Sequence, residues 1–331
     1  MTPERIGQLA WGYAPPLILE AAIRHKIFDL LEVGAKSVEQ VAAESGASVR
    51  GLRIVMNALV GLELLSKDPH EVYSLTPESA EYLVSGKPTF MGGTIRHTSS
   101  QLLPKWLRLN EIVQTGSSPA GVNQEEGGAA FFQQFVEDLF PRNYPAAKRL
   151  AELLQVADAQ APVRVLDLAA GSGVWSIALA QRSPQVTVTA VDWPGVLEVT
   201  RRVTARIGVE DRYLFVAGDL AQADFGAGHH VATLGHILHS EGEERSRALL
   251  KKTFAAMAPG GTIAIAEFLV DEGRRSPPMA LLFAVNMLVA TQNGDTFTFG
   301  EISGWLREAG FENARLVDMP SPSPLILANR P

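Results

Sequence analysis

Residues 163–182 read VRVLDLAAGSGVWSIALAQR, and this stretch decides the fold. VRVLDLA (163–169) is a short apolar run of the length of one buried strand, and it leads into GSGVWSIALAQR (171–182), which reads as a helix. At their junction, Gly171 and Gly173 let the backbone turn sharply and approach a ligand, with helix-terminal N–H groups facing it. The loop is no dinucleotide fingerprint, because G-x-G-x-x-G requires glycine where Ser176 stands, and no Lys-Ser/Thr of a P-loop follows. Asp167, at the strand end, is hostile to a pyrophosphate and suits a cationic amino-acid group.

Working outward, strands are expected at 186–192, 212–219, 230–238 and 262–270, with ARLVDM and PLILANR closing the chain. Helices are expected at about 195–207, from Glu243 to Met257 and at 300–309, the last ending at Gly310. Such alternation of nearly continuous apolar strands with helices predicts a mostly parallel sheet covered on both faces, an α/β Rossmann-like domain. Ligands bind such sheets at the carboxyl ends of the strands. Asp192 ends the second strand, where a carboxylate accepts both ribose hydroxyls of an adenosine. Asp219 ends the third, where it meets an adenine amino group, and Trp193 is placed to cover a flat base.

The first 145 residues have a different grammar, almost wholly helical. Apolar residues recur at helical spacing from Trp11 to Leu31. Ser37 precedes VEQVAAESG, with Gly46 at its C-terminus, and Ser48 opens VRGLRIVMNALVGLELL. A charged turn between β-favouring pieces follows, then a helix opened by Thr76-Pro77. Helix, helix, turn, helix, hairpin is a winged-helix pattern. Its DNA-binding reading is poor, because the would-be recognition helix offers only Arg50, Arg53 and Asn57 as polar contacts. Packing or dimerisation is the expected role. Trp106, Leu107, Leu109 and Ile112 are further core candidates, and a disordered tip is expected at 116–128. The domain limits are set at 1–145 and 146–331.

The 331 residues are 46% apolar and 20% charged, enough for a sizeable core and too ordered for wholesale disorder. A formal net charge of −7 argues against nucleic acid as a partner. The absence of cysteine excludes disulfides, thiolate nucleophiles and cysteine-ligated zinc. The opening MTPERIGQLAWGYAPP lacks the pattern of a signal peptide, so a cytoplasmic location without membrane contact is expected. The apolar run Met279 to Ala290, interrupted by Asn286, is too short to span a bilayer and reads as a buried helix.

The segments VLDLAAGSG, VDWPGVLE, VAGDL, LGHILHSEGEERSRALLKK, MAPGGTIAIAEF and LREAGF occur in this order along the chain. Together they resemble the S-adenosylmethionine-dependent O-methyltransferases of the caffeic-acid and acetylserotonin type. The resemblance implies a winged-helix-like dimerisation domain, a homodimer, and methyl transfer to a hydroxyl of a small aromatic molecule. It implies that Gly171 and Gly173 lie under the amino acid of S-adenosylmethionine, that Asp192 holds the ribose, and that Asp219 and Leu220 contact the adenine.

It also makes His239 the general base and Glu267 the carboxylate that holds its tautomer. The family's His-Asp-Trp is here His239-Ser240-Glu241, and its second carboxylate falls on Thr296, beside Asp295. These departures leave open whether Asp295 substitutes, whether the acceptor atom is nitrogen or carbon, and whether the reaction is a methylation at all. A metabolite-sensing regulator is the remaining alternative. The acceptor pocket is expected from Phe135, Tyr144, Phe283, Asn286, Met287 and Thr296. A zinc site is not expected, because His229 and His230 open a strand that His236 and His239 close.

Overall fold

A computed structural model describes all residues except 1, 117, 119, 120, 122–124, 134 and 322. Two compact units divide at Pro104 and Lys105. The boundary expected at 145 falls inside a continuous helix of the second unit.

In the first unit, α1 (Glu4–Ala10), α2 (Ala14–Arg24) and α3 (Ile27–Glu32) precede α4 (Val38–Ser45) and α5 (Val49–Gly61). The hairpin β1 (Leu65–Lys67) and β2 (Tyr73–Leu75) leads to α6 (Pro77–Tyr82) and α7 (Gly92–His97). The helical spacing from Trp11 to Leu31 is shared by α2 and α3, which are separated at Lys26 with a left-handed φ of 55°. The caps are where the sequence puts them. Ser37 and Gln40 form a capping box, Gly46 ends α4 in the left-handed region, and Ser48 and Thr76 cap α5 and α6. Leu52, Met56 and Leu59 of α5 are buried with Ile27, Phe28 and Tyr73. Asn57, a would-be base contact, accepts the Tyr73 hydroxyl at 2.7 Å.

The second unit begins within α8 (Leu103–Trp106) and continues through α9 (Leu109–Thr115), α10 (Glu125–Gln133) and α11 (Phe140–Leu153). Ile112 is buried, whereas Leu107, a core candidate from spacing, is 85% exposed. Of the tip expected at 116–128, positions 117, 119, 120 and 122–124 lie outside the described residues, and α10 starts at Glu125.

Then β3 (Val163–Leu168), α12 (Val174–Arg182), β4 (Val186–Asp192), α13 (Pro194–Ile207) and β5 (Tyr213–Ala217) alternate. They are followed by β6 (His229–Gly235), α14 (Leu238–Ala256), β7 (Met257–Ala266), α15 (Pro278–Ala290), α16 (Phe299–Ala309), β8 (Glu312–Val317) and β9 (Leu325–Asn329). The sheet order is β5-β4-β3-β6-β7-β9-β8, with β9 antiparallel to β7 and β8. Strand order reverses between β3 and β6, which opens a crevice at their carboxyl ends. Apolar side chains of β3, β6 and β7 fill the core beneath it.

Two elements depart from their expected bounds, one ending early and one beginning early, and both shape the site. β6 stops at Gly235, because His236 turns the backbone with φ 63°. α14 begins at Leu238 and is broken at Gly242, where φ is 76° and ψ 173°. A Cβ there would stand 2.5 Å from the carbonyl oxygen of Asn293, so the break requires glycine. α15 is not a buried helix throughout: Met279 and Leu282 are exposed, while Ala280 near its start and Met287, Val289 and Ala290 at its far end pack inside.

Candidate active site

The crevice above the strand ends has a cavity volume of about 130 Å³ and is open to solvent. Gly171, Asp192, Trp193, Asp219, Leu220, Gly235 and His236 line it. Gly171 and Gly173 take φ of 57° and 76°, which draws the loop back over α12. Thr200 of α13 ties that loop down, donating to the Gly171 carbonyl at 2.7 Å.

Asp192 is held by the crevice itself. Its carboxylate accepts the Gly171 N–H at 2.9 Å and the Trp193 N–H at 2.8 Å. Burial pushes its carboxyl up to about 7, with the nearby charge of Asp167 adding to the shift and the two N–H groups opposing it. Asp219 accepts the Ala221 N–H at 2.8 Å and pairs with Arg245 at 3.2 Å. Arg245 also grips the buried carboxylate of Glu241. Nothing in the sequence pattern marked Arg245, since an arginine in the exposed run of a helix usually faces only water. Phe132 of α10 faces Trp193, ring centroids 6.1 Å apart, so two flat walls bound the crevice.

Asp167 does not face the crevice, contrary to its expected role beside a cationic group. Its two oxygens accept the hydroxyls of Ser176 on α12 and Thr233 on β6, the latter at 2.7 Å. The register pairs Asp167 with Thr233 across the sheet, which aims the carboxylate sideways rather than upward. Burial raises it to about 6. Its place is to pin helix to strand beneath the loop.

His239 stands in the short turn of helix before the Gly242 break. Its Nδ1 lies 2.6 Å from Glu267 Oε2, while Glu267 Oε1 accepts the backbone N–H of Leu238 at 2.8 Å and of His239 at 3.3 Å. Glu267 is 2% exposed; burial opposes its ionisation, yet His239 and the backbone donors hold its carboxyl below the usual range. Nε2 of His239 has no hydrogen-bond partner among the described residues. Phe283 meets the His239 ring edge-on at 4.8 Å, and Phe268 lies 6.3 Å away. Phe268, Phe283 and His236 thus form an aromatic wall around one free imidazole nitrogen. His236, half-buried and pushed down to about 4 by desolvation, is neutral; its Nε2 is 2.9 Å from the Ser323 hydroxyl.

The other expected pocket residues part company. Met287 is buried, and Asn286 accepts the indole N–H of Trp106 at 3.0 Å. Tyr144 stacks on Phe140 and donates to Gln181 at 2.6 Å, against α12 and away from the crevice. Phe135 packs on Phe131, outside the crevice lining. Thr296 is 1% exposed and its hydroxyl has no hydrogen-bond partner among the described residues. The oxygens of Asp295 go to the Thr296 N–H at 2.7 Å and toward Arg274 at 3.6 Å, and its own backbone N–H donates to the His239 carbonyl at 2.9 Å. His236 and His239 lie together, ring centroids 6.3 Å apart, while His229, at the other end of β6, is on the Phe225 carbonyl and His230 accepts the Arg164 N–H.

Residues 135–312 match the profile of an O-methyltransferase domain, and residues 8–85 that of an O-methyltransferase dimerisation domain. The chain belongs to the O-methyltransferase family. It is an S-adenosylmethionine-dependent methyltransferase. It is 31% identical to a 3-hydroxy-5-methyl-1-naphthoate 3-O-methyltransferase of Streptomyces sahachiroi, over 97% of this chain and 92% of that one. A tetracenomycin polyketide synthesis 8-O-methyltransferase of Streptomyces glaucescens is 27% identical, over 99% and 97%. A solved structure from Nostoc punctiforme, described as an O-methyltransferase, superposes with a TM-score of 0.91 at 28% identity, covering 99% of each chain.

The crevice fits the methyl donor on its own chemistry. A glycine-turned loop, an acid held at the end of β4, a second acid past β5 and two aromatic walls match an adenosine carrying an amino acid.

Proposed function

We propose that this methyltransferase methylates a phenolic hydroxyl of a fused-ring aromatic metabolite, with His239 as general base and Glu267 as its orienting partner. The carrying observation is the 2.6 Å contact of Nδ1 with Glu267, which leaves Nε2 as the proton acceptor. In the donor crevice, Asp192 takes the ribose hydroxyls, Asp219 and Leu220 the adenine, and the Gly171 loop the amino acid. Bound there, S-adenosylmethionine supplies a methyl carbon already activated by a positive sulfur and open to in-line displacement. His239 Nε2 removes the hydroxyl proton as the oxygen becomes a nucleophile. Glu267 stabilises the imidazolium that results, at a site where its own carboxylate stays ionised. Phe268 and Phe283 set a flat ring beside that nitrogen and keep water from it.

Two relatives bear on the acceptor, since their names give a hydroxynaphthoate and a tetracenomycin polyketide, both fused aromatics with hydroxyls. The test is a panel of hydroxynaphthalenes, flavonoids and indoles with labelled donor, the product's methyl located by NMR. Label on an aromatic oxygen is expected. Label on carbon or nitrogen overturns the reading.

The working unit is a homodimer built through the first unit. Its dimerisation-domain match and the exposed Ile6, Leu9, Trp11 and Tyr13 near the start support this. Light scattering that gives the mass of one chain removes it.

A further inference from the structure

One cation near the base has no anion. Arg142, in the first turn of α11, stacks over the Phe268 ring with its guanidinium carbon 5.6 Å from the centroid. It forms no ion pair and no hydrogen bond among the described residues, although it is partly buried. Burial pushes its pKa down, with no carboxylate to offset it. Its position is also electrostatically poor, because the first turn of a helix carries the positive end of the dipole. A guanidinium set there without a partner lowers stability, and a desolvated arginine normally sits in a bidentate pair.

The surroundings say where the missing anion belongs. Phe268 is the ring shared by Arg142, His236 and His239. The carboxylate of that cluster, Glu267, is spent on His239 and two backbone N–H groups. One aromatic wall therefore carries a free imidazole nitrogen on one side and an unmatched guanidinium on another. We propose that Arg142 recognises a carboxylate on the acceptor, so that the preferred substrates are hydroxylated aromatic acids, docked with hydroxyl toward His239 and carboxylate toward Arg142. This rests on the placement of the acceptor beside His239, and it adds the substituent that orients the ring. An arginine here selects by charge and planarity; the apolar wall selects only by shape.

The test is calorimetric binding to the full-length protein saturated with S-adenosylhomocysteine, so that no methyl transfer is needed. The probes are 3-hydroxybenzoate and 6-hydroxy-2-naphthoate, each beside its methyl ester, which keeps the shape and removes the charge. The wild type should bind at least one acid about tenfold or more tighter than its ester. R142M should erase that preference by weakening the acid alone, and R142K should restore part of it. Equal binding of acid and ester, binding of neither, or a preference that survives in R142M overturns the proposal. Loss of S-adenosylhomocysteine affinity in a folded R142M also overturns it, because the guanidinium then serves the donor's own carboxylate. H239A should keep the acid preference, which separates this inference from the identity of the base.

Discussion

Glu267 uses its two oxygens for different tasks: Oε2 lies 2.6 Å from the Nδ1 of His239, and Oε1 accepts the Leu238 backbone N–H at 2.8 Å. The backbone contact fixes the carboxylate, so the side-chain contact fixes the imidazole. Both partners sit just past the ends of neighbouring parallel strands, β6 and β7, where the register pairs Gly235 with Ala266. The early end of β6 at His236 and the Gly242 break confine His239 to one helical turn facing Glu267.

Glu267→Gln tests this division of labour. The amide oxygen is claimed by the N–H groups of Leu238 and His239, which leaves the NH2 group facing Nδ1. That arrangement makes Nδ1 an acceptor and puts the ring proton on Nε2, the wrong tautomer for a base. Turnover should fall by about 10²-fold or more while donor affinity holds, and His239→Ala should fall into the range of about 10²–10⁴. Steady-state kinetics with calorimetry of S-adenosylhomocysteine reads both. Full turnover in either variant removes the pair from the chemistry.

Asp192 gives a pH prediction. Its carboxyl is pushed to about 7, and the ionised form is the better acceptor for two ribose hydroxyls. Binding therefore favours loss of the proton, so donor affinity should rise with pH through about 7 and level off above it. Below that value binding should release a proton, visible as a buffer-dependent enthalpy. Asp192→Asn should bind weakly and show neither effect. Affinity that is flat between about pH 6 and pH 8 would mean the carboxylate does not meet the ribose.

The sequence carried the architecture because strand runs, caps and the glycine turn are local signals. Ser37, Ser48, Thr76 and Gly46 cap the helices they were expected to cap. Asp192, Asp219, Gly171 and Trp193 were legible for a related reason: strand ends of a parallel sheet converge by topology alone. Asp167 was misplaced because side-chain direction alternates along a strand, and a one-residue step turns a carboxylate from the crevice into the sheet. Tyr144, Arg245 and Arg142 depend on helix rotation and on partners far along the chain, which spacing does not encode. His239 and Glu267 were identified through family resemblance; their contact spans 28 positions and follows only from the fold.

Asp167→Ala separates support from ligand contact. The substitution removes the carboxylate acceptor of the Ser176 and Thr233 hydroxyls in a closed interior and leaves them only the longer contacts to the Gly173 carbonyl at 3.2 Å and the Leu166 carbonyl at 3.5 Å. A loss of about 1–3 kcal/mol in unfolding free energy is expected, with donor affinity reduced less than in Asp192→Ala. Because burial raises Asp167 to about 6, ionisation of the native carboxylate costs stability as pH rises from the unfolded value through that point. The variant should lose that slope in a pH series of denaturant melts. An unchanged melt with abolished donor binding would return Asp167 to the ligand site.

By the family resemblance Thr296 takes the position of the second carboxylate, yet its buried hydroxyl has no hydrogen-bond partner among the described residues. A hydroxyl held in that state costs free energy unless something arrives to use it. If its value is only volume, Thr296→Val keeps the shape, removes the unpaired oxygen and raises stability by about 1 kcal/mol with turnover unchanged. That outcome is expected, because Asp295 turns to Arg274 and the His239–Glu267 pair is complete without a third member. Thermal melts and turnover on one phenolic acceptor decide it. A stable Thr296→Val that loses turnover would show that the hydroxyl serves the acceptor after all, and the chemistry around His239 would need a second polar contact.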